Sequence, residues 1–463
     1  MTRSLLIAAS PGELWAALCE DDEPVELRVL REGSGPRVGD IVLGRIVALE
    51  PDLPAARIEI GLERPAFLDA EDAVPGKGLA GLHEGEAVLV QVTKEARADK
   101  AICVSLRPRL AGAVLDYVPG GTVETAVRGL DEATRRRLLS AVASFARPGE
   151  GFRLRAASVE ASAAALAEDA EALRRRWRAI EAARTGARPP ARLEPEEPPV
   201  AALLAALPPP LPDRIAIDDR AAFAVARSWL LRHHPECAPR LELQSGGGSL
   251  FEHEAMAAAI EIALAPRVAL AGGGAITIES TAAATLIDVD SGGAAALAAN
   301  LAAACAAARQ IRLRNIAGPI VIDFIGMSGR GERERVAAAL KTALGPDPAE
   351  PELLGWTRLG HFELVRRRRH PALEEVLFER TPDGARIKTA LTVALDALRA
   401  LAREAKAAPA RALSLRVAPE IAAALRDGAA RTPRLSLEAR LGRPIAIEAE
   451  PGRVRTHFDI VRA

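Results

Sequence analysis

The sequence predicts a multidomain α+β protein on three observations. Its 463 residues exceed what one core usually serves, short glycine-bounded runs of alternating apolar and polar residues open the chain, and long Ala-rich helical stretches later interleave with strand patterns. The chain carries 61 Lys plus Arg against 62 Asp plus Glu, is 49% hydrophobic and only 3% aromatic. That balance excludes a histone-like or polybasic protein but leaves room for local basic grooves. Six of the basic residues are Lys and the rest Arg, a bias that accompanies the Ala-rich composition, so Arg abundance alone is no sign of phosphate recognition. Cys19, Cys103, Cys237 and Cys305 are too scattered for a disulfide framework or a Cys-x-x-Cys metal site and read as buried free thiols. No apolar run reaches the roughly 18 residues of a membrane span. Pro11, Glu13 and the acidic residues from Glu20 to Glu23 stand where a signal peptide needs its apolar core. The cytoplasm is therefore the expected compartment, without membrane attachment.

The elements follow in order. Alternation within residues 1–36 predicts a small sheet element, too short to stand alone. Period-two runs at 39–49, 56–60, 66–68 and 86–92 predict a small barrel, and its Gly39-Asp40-x-x-x-Gly44 opening resembles the S1 type of OB-fold. A helix around 131–146 and a strand at 152–156 make a compact α/β unit. A long helix at 161–183 follows, whose Arg174-Arg175-Arg176 run reads as a solvated face. Prolines at 189, 190, 195, 198, 199 and 208–210 mark a boundary. Beyond it come a strand at 214–217, helices at 220–231 and 252–264, two hairpin strands at 274–279 and 284–291, and a long helix at 294–312. An apolar strand at 319–325, a helix at 332–344, the basic run Arg366–Arg369 and a small C-terminal α/β unit complete the chain.

Chemistry concentrates in the hairpin and the apolar strand. Asp288 and Asp290 are two residues apart on a strand and so leave the same face, while Asp323 interrupts Ile320-Val321-Ile322-Asp323-Phe324. Carboxylates in apolar strands need a partner, and a shared cation would serve all three. With no His or Cys nearby in sequence, a hard ion such as Mg²⁺ or Mn²⁺ is favoured over zinc. The other reading makes them strand-end carboxylates that accept backbone or Arg hydrogen bonds. His233, His234 and His253 lack a third ligand at suitable spacing and read as structural or surface residues.

Three blocks in order resemble the ribonuclease E/G family. They are Ile287-Asp288-Val289-Asp290-Ser291-Gly292-Gly293, the stretch from Ala307 to Gly318 containing Arg309-Gln310-Ile311-Arg312-Leu313-Arg314-Asn315, and the stretch from Ile320 to Met327. Gly360, Glu363 and Arg366 resemble the segment that closes the family's nuclease subdomain. The resemblance implies an RNase H-like domain (1–37 and 196–264) interrupted by an S1 domain (38–117) and a 5′-sensor subdomain with linker helix (118–195). A DNase I-like catalytic subdomain (265–375) and a small C-terminal domain (376–463) would follow. It also implies a Mg²⁺-dependent endoribonuclease of RNA processing or decay that cuts single-stranded RNA and leaves 5′-phosphate products. Asp288 and Asp323 fall on the family's magnesium ligands, and Asp290 stands where the family has Asn as the orienting residue. Phe67 matches an exposed base-stacking aromatic, with Arg57 at its partner position. Lys100, Arg107 and Arg109 would meet phosphates, and Arg155 would grip a 5′-phosphate, with Ala156 in place of the family's Thr. The family's zinc-linking Cys-x-x-Cys is missing, so no zinc is expected and an oligomer would not be zinc-linked. Two other readings stand beside this one: an RNA-binding family member with little or no catalysis, and a phosphodiesterase acting on other nucleic acids.

Overall fold

The computed structural model describes residues 2–33, 35–50, 53–73, 78–94, 101–125, 127, 130–207, 210–244, 250, 254–327, 329–409, 411 and 413–462. The chain forms two compact units, Met1–Gly33 with Pro198–Ala463, and Ser34–Glu197. The second crossover falls within the proline-rich stretch, where the sequence placed a boundary.

The first unit opens with an antiparallel meander of β1 (Arg3–Ser10), β2 (Glu13–Glu20) and β3 (Glu23–Arg31). Alternation along β1 and β2 feeds two cores: Leu5, Ile7, Leu14 and Ala16 join one, and Leu6, Ala8, Trp15 and Ala17 the other.

The second unit begins with β4 (Ile41–Glu50), β5 (Ala55–Glu59), β6 (Ala66–Asp69), β7 (Ala87–Lys94) and β8 (Cys103–Ser105). They pair in the order β4-β5-β6-β8-β7, and a β4–β7 pairing closes this five-stranded ring into a barrel. Val42, Ile46, Ile58, Leu68, Val90 and Val104 fill it. A Cβ on Gly44 would lie 2.6 Å from Ile58 Cγ2 and 2.9 Å from the Glu59 carbonyl oxygen, so the close pairing of β4 with β5 requires glycine there.

Next come β9 (Leu110–Ala111), β10 (Leu115–Pro119), β11 (Val123–Thr125), α1 (Glu132–Ala143), β12 (Glu150–Leu154), α2 (Ala163–Gly186) and β13 (Ala191–Arg192). Asp131 caps α1 by accepting from the Thr134 N–H at 2.9 Å, and Ser162 caps α2 by accepting from the Ala165 N–H at 3.1 Å. Strand β13 returns to pair with β4. One core joins Ile41 and Leu43 of the barrel to Leu115, Phe152, Leu166 and Leu173, so the barrel and the α/β element after it are packed as one body. Arg174 departs from the expected solvated helix face. It is 4% exposed, donates to Glu150 and Glu171, and lies over the Phe152 ring. A carboxylate on each side makes this burial of a guanidinium affordable.

The first unit resumes with α3 (Pro199–Ala205), β14 (Arg214–Ile217), α4 (Arg220–His233), β15 (Leu241–Leu243) and α5 (Glu254–Leu264). Strand β14 runs parallel to β1 and β15 parallel to β14, giving the order β15-β14-β1-β2-β3. A second sheet follows from β16 (Arg267–Ala269), β17 (Ala275–Ser280), β18 (Thr285–Asp290), α6 (Ala296–Leu313), β19 (Gly318–Asp323), α7 (Arg330–Leu344), β20 (Glu352–Trp356) and β21 (Phe362–Arg366). Its order is β16-β17-β18-β19-β21-β20, antiparallel except for the β18–β19 pair that α6 connects. Ile276, Ile287, Ile320 and Ile322 of this sheet pack on Ala303, Ala307, Ile311, Val336 and Leu340 of the two helices.

The chain then forms α8 (Leu373–Leu377), the hairpin β22 (Phe378–Arg380) and β23 (Arg386–Lys388), and α9 (Ala390–Ala407). It ends with β24 (Leu413–Val417), α10 (Pro419–Arg426), α11 (Arg431–Leu441), β25 (Ala446–Ala449) and β26 (Asp459–Arg462), whose strands make the sheet β25-β24-β26. Leu373 and Leu377 of α8 share a core with Trp15 and Leu27. Two thiols correct the expectation of four buried ones: Cys19 and Cys237 are buried, but Cys103 is half-buried and Cys305 exposed on α6. No described helix is long and apolar enough to cross a membrane.

Candidate functional site

Alternation along β18 buries Thr285, Ile287 and Val289 and exposes Leu286, Asp288 and Asp290. Because β19 runs parallel beside it with Asp288 paired to Asp323, the two carboxylates stand in register at the carboxyl ends of adjacent parallel strands. Open sheets bind their ligands at such strand ends. Both residues are exposed, Asp323 with 57% of its side chain open to solvent.

Asp290 is committed differently. It accepts from the Gly292 N–H at 3.0 Å and from Arg267 Nη2 at 2.7 Å. The Gly292 N–H first, and then the Arg267 guanidinium, hold its carboxyl below the usual range. Gly292 has φ +57°, and a Cβ there would run into the Gly274 backbone, so glycine is what lets this turn cross the start of β17. The strand-end reading of these carboxylates thus describes Asp290, whereas Asp288 and Asp323 form the side-by-side pair.

Two residues that sequence reasoning missed adjoin Asp323. His361 Nδ1 lies 3.1 Å from Asp323 Oδ1, yet this buried nitrogen has no hydrogen-bond partner, because the contact is not aligned as one. Asn300 on α6 is fully buried. It donates to the Ile325 carbonyl at 2.8 Å and accepts from the Ile325 N–H at 2.9 Å, pinning the chain two residues past Asp323. A single Asn inside the apolar face of an Ala-rich helix was the available signal. Among the described residues, no three His, Cys, Asp or Glu side chains are already gathered into a metal cage.

Behind this edge, Arg366 of the basic run is buried rather than displayed. It makes a two-pronged bond to Asp347, Nε–Oδ2 at 2.6 Å and Nη2–Oδ1 at 3.1 Å. It also donates to Asn315 Oδ1 at 2.8 Å and to the Ile316 carbonyl at 3.0 Å. Asn315 has φ +53° and turns the chain from α6 into β19, a conformation Asn tolerates better than most side chains.

In the other unit, Phe67 and Arg57 are register partners on β6 and β5. Ala66 and Leu68 on either side of Phe67 fill the barrel, so Phe67 points outward and is half-buried. The Arg57 guanidinium carbon lies 5.7 Å from its ring centre, with Nε 3.0 Å from Glu50 Oε1. Arg107 meets Asp72 at 3.4 Å and the Glu71 carbonyl. Arg109 and Arg155 converge on Asp116, at 3.7 and 3.5 Å, and Arg155 also donates to the Gly112 carbonyl at 2.7 Å. Burial raises the Asp116 carboxyl above its ordinary value, with Arg155, Arg109 and Arg153 opposing. Lys100 and His253 lie outside the described residues. His233 and His234 lie beside Trp229 in tilted ring contacts, centres 4.8 and 5.6 Å away.

The chain is 28% identical to ribonuclease G of Escherichia coli (strain K12) over 488 residues that span all of both chains. It is 29% identical to ribonuclease G of Haemophilus influenzae over 99% of each. With ribonuclease E of Escherichia coli (strain K12) it shares 30% identity over 81% of this chain and 38% of that protein. Residues 109–369, which include the β16 to β21 sheet, match the model of the Ribonuclease E/G family. With more than half of its length matched, the chain belongs to the ribonuclease E/G family.

Proposed function

We propose that this protein is an endoribonuclease that cuts single-stranded RNA in cytoplasmic RNA processing, with a divalent ion, Mg²⁺ by this reading, held by Asp288 and Asp323. The observation that carries this is the register pairing of the two exposed carboxylates at the ends of parallel β18 and β19. The residues fit such an ion. Mg²⁺ is commonly held by one or two carboxylates, with waters and substrate phosphates completing its shell, and both carboxylates are open to solvent on one edge of the sheet.

Held by Asp288 and Asp323, the ion would supply an activated water and charge neutralisation at the scissile phosphate, and cleavage of that kind would leave a 5′-phosphate product. Asp288 and Asp323 fix where it sits, because both ride on central strands of a packed sheet rather than on loops. Asn300 holds the exit of β19, so Asp323 keeps its direction when substrate arrives. Asp290 and Arg267 clamp the turn after β18 and would present a guanidinium near a phosphate backbone. On the barrel, Phe67 offers a base-stacking face with Arg57 at its side, and Arg107 and Arg109 with the undescribed Lys100 supply phosphate contacts. Arg155 is read as the 5′-phosphate contact, poised by Asp116.

The strand order β15-β14-β1-β2-β3 supports the RNase H-like reading of that sheet, the closed ring supports the S1 reading, and the β16 to β21 sheet is read as the DNase I-like catalytic subdomain. The test is cleavage of a labelled 5′-monophosphorylated, A/U-rich single strand with Mg²⁺, with EDTA, and by an Asp288→Ala/Asp323→Ala variant. Cutting only by the intact protein with Mg²⁺ is expected. RNA binding without any cutting would replace this reading with that of a silent RNA-binding member, and equal cutting of the matched DNA strand would remove the RNA assignment.

A further inference from the structure

We infer that Asp116 is a specificity-determining residue of the Arg155 cluster: its carboxylate already occupies the guanidiniums that would grip a 5′-phosphate, so this chain distinguishes 5′-monophosphorylated from 5′-hydroxyl RNA only weakly. The inference rests on the reading of Arg155 as the 5′-phosphate contact and adds what limits that contact.

The sheet β11-β12-β10-β9 sets the charges in a row. Asp116 pairs with Arg153 across β10 and β12, and Arg153 pairs with Glu124 across β12 and β11. Residues so opposed share a face of the sheet. Leu115, Tyr117, Phe152 and Leu154, which alternate with them, go to the core on the other face. Arg109, just before β9, and Arg155, just after β12, reach the same carboxylate.

That carboxylate is buried but loosely held. Asp116 is 9% exposed, whereas 50% of the Arg109 side chain and 43% of the Arg155 side chain face solvent. Its Oδ1 lies 3.5 Å from Arg155 Nη1 and its Oδ2 lies 3.7 Å from Arg109 Nε. A tight charge-assisted bond closes to about 2.7–2.9 Å, so the two guanidiniums are gathered by this acid without being saturated by it. A carboxyl that burial raises in spite of three nearby arginines agrees with so loose a hold.

Arg155 is anchored without Asp116. Its backbone N–H donates to the Val114 carbonyl at 3.2 Å, and its Nη1 donates to the Gly112 carbonyl at 2.7 Å. Asp169 of α2 holds that loop by accepting from the N–H groups of Ala113, Val114 and Leu115 at 3.1, 2.8 and 2.9 Å. A Cβ on Gly112 would lie 2.6 Å from Asp169 Oδ2, so glycine is what permits this packing. Removing the Asp116 charge therefore leaves Arg155 in place.

A phosphate arriving at the exposed guanidiniums finds an acid beside its own oxygens. A terminal monoester brings a charge of about −1.5 to −2 and is repelled by a neighbouring carboxylate. An internal diester, with its single charge, is repelled less. Asp116 thus offsets the advantage that a 5′-phosphate would gain from Arg155.

The experiment measures binding of short single-stranded RNAs, alike except for a 5′-monophosphate or a 5′-hydroxyl, to the full-length protein by fluorescence anisotropy, so it does not depend on cleavage. In the parent the two affinities should differ by less than about threefold, the scale of an exposed ion pair. In Asp116→Asn, which keeps the shape without the charge, the preference for the 5′-monophosphate should grow about tenfold. Adding Arg155→Ala should abolish that growth, and Asp116→Glu, which keeps the charge, should retain the small preference of the parent. Taking the ratio removes the general tightening that loss of a negative charge gives to both strands. An unchanged unfolding midpoint would show that Asp116→Asn is folded, and Asp116→Ala serves as a second neutral variant. A strong, Arg155-dependent preference in the parent that neither neutral variant alters would overturn the role of Asp116 and leave Arg155 as the 5′-phosphate contact. Equal binding of both strands by the parent and by both neutral variants would overturn the two together.

Discussion

The buried Arg366–Asp347 pair is where a single substitution should cost most. Both residues are nearly sealed from water, at 2% and 4% exposure, and the guanidinium makes four hydrogen bonds, two of them to the carboxylate. Arg366→Met keeps most of the side-chain volume but leaves the Asp347 carboxylate buried opposite a thioether, together with an unmatched Asn315 oxygen and Ile316 carbonyl. Removing one partner of a buried pair costs about 3–5 kcal/mol. At roughly 2–4 °C per kcal/mol for a body of this size, scanning calorimetry should show the unfolding midpoint falling by about 10 °C. The companion variant Arg366→Met/Asp347→Leu removes both charges and should recover more than half of that loss, because apolar replacements of a buried pair are often neutral. A fall below about 1 kcal/mol for the single variant, or a double variant no better than it, would refute the claim that the unpaired carboxylate is the source of the damage.

Glu26 carries a pH signature. Burial alone would raise its carboxyl, but contacts with His370 at 3.0 Å and Arg28 at 2.6 Å outweigh it and hold the group well below the usual carboxylate range. A depressed folded value contributes stability that is complete above the unfolded value of about 4.3 and fades as pH falls below it. The stability difference between the parent and Glu26→Gln should therefore shrink between pH 5 and pH 3 in chemical denaturation, and a pH-independent difference would contradict this. Phe67→Ala should weaken single-stranded RNA binding by about 1–3 kcal/mol whatever the sequence, read by fluorescence anisotropy, and Phe67→Tyr should restore it. Arg155→Ala should slow cutting of 5′-monophosphorylated RNA to the rate seen with 5′-hydroxyl RNA and leave the latter rate alone; equal slowing of both would remove it as a 5′-end contact. Asp290→Asn should retain the Gly292 N–H bond through its amide oxygen while weakening the hold on Arg267, so that cleavage becomes more salt-sensitive without a change in Mg²⁺ requirement.

Local patterns were legible where one physical rule acted alone. The alternation in residues 284–291, the apolar run at 319–325 and the Ala-rich helix between them lie close to their positions as β18, β19 and α6, although β19 stops at Asp323. The barrel strands were readable for the same reason, and Gly44, noted as part of the S1-like opening, is the residue whose backbone approaches Ile58 closely. Legibility failed where a side chain's fate depends on a partner distant in sequence. Arg174 and Arg366 each sit in a basic run, and the first of these runs read as a solvated helix face. Glu150 and Asp347, supplied by other elements, turn single members of those runs inward while their neighbours remain outside. Cys305 erred the other way, since an Ala-rich helix does not announce which of its small residues face solvent.

The candidate site shows the same division at finer scale. Asp288 and Asp290 are two residues apart and share a face, so sequence spacing treats them as equivalent, and the pairing of strands separates them. Asp288 gains Asp323 from the parallel neighbour, while Asp290, two residues beyond the pairing, is taken by Arg267 and its own turn. His361 was invisible for the complementary reason. It lies 38 residues from Asp323 in the numbering, and only the antiparallel register of β19 with β21 brings it to 3.1 Å. A strand fixes its face from local alternation, but its neighbours are fixed by the topology of the whole sheet. Which side chains stand beside Asp323 is therefore set by strand order. In this sheet that order brings an imidazole to the edge where the spacing of acids alone announced only carboxylates.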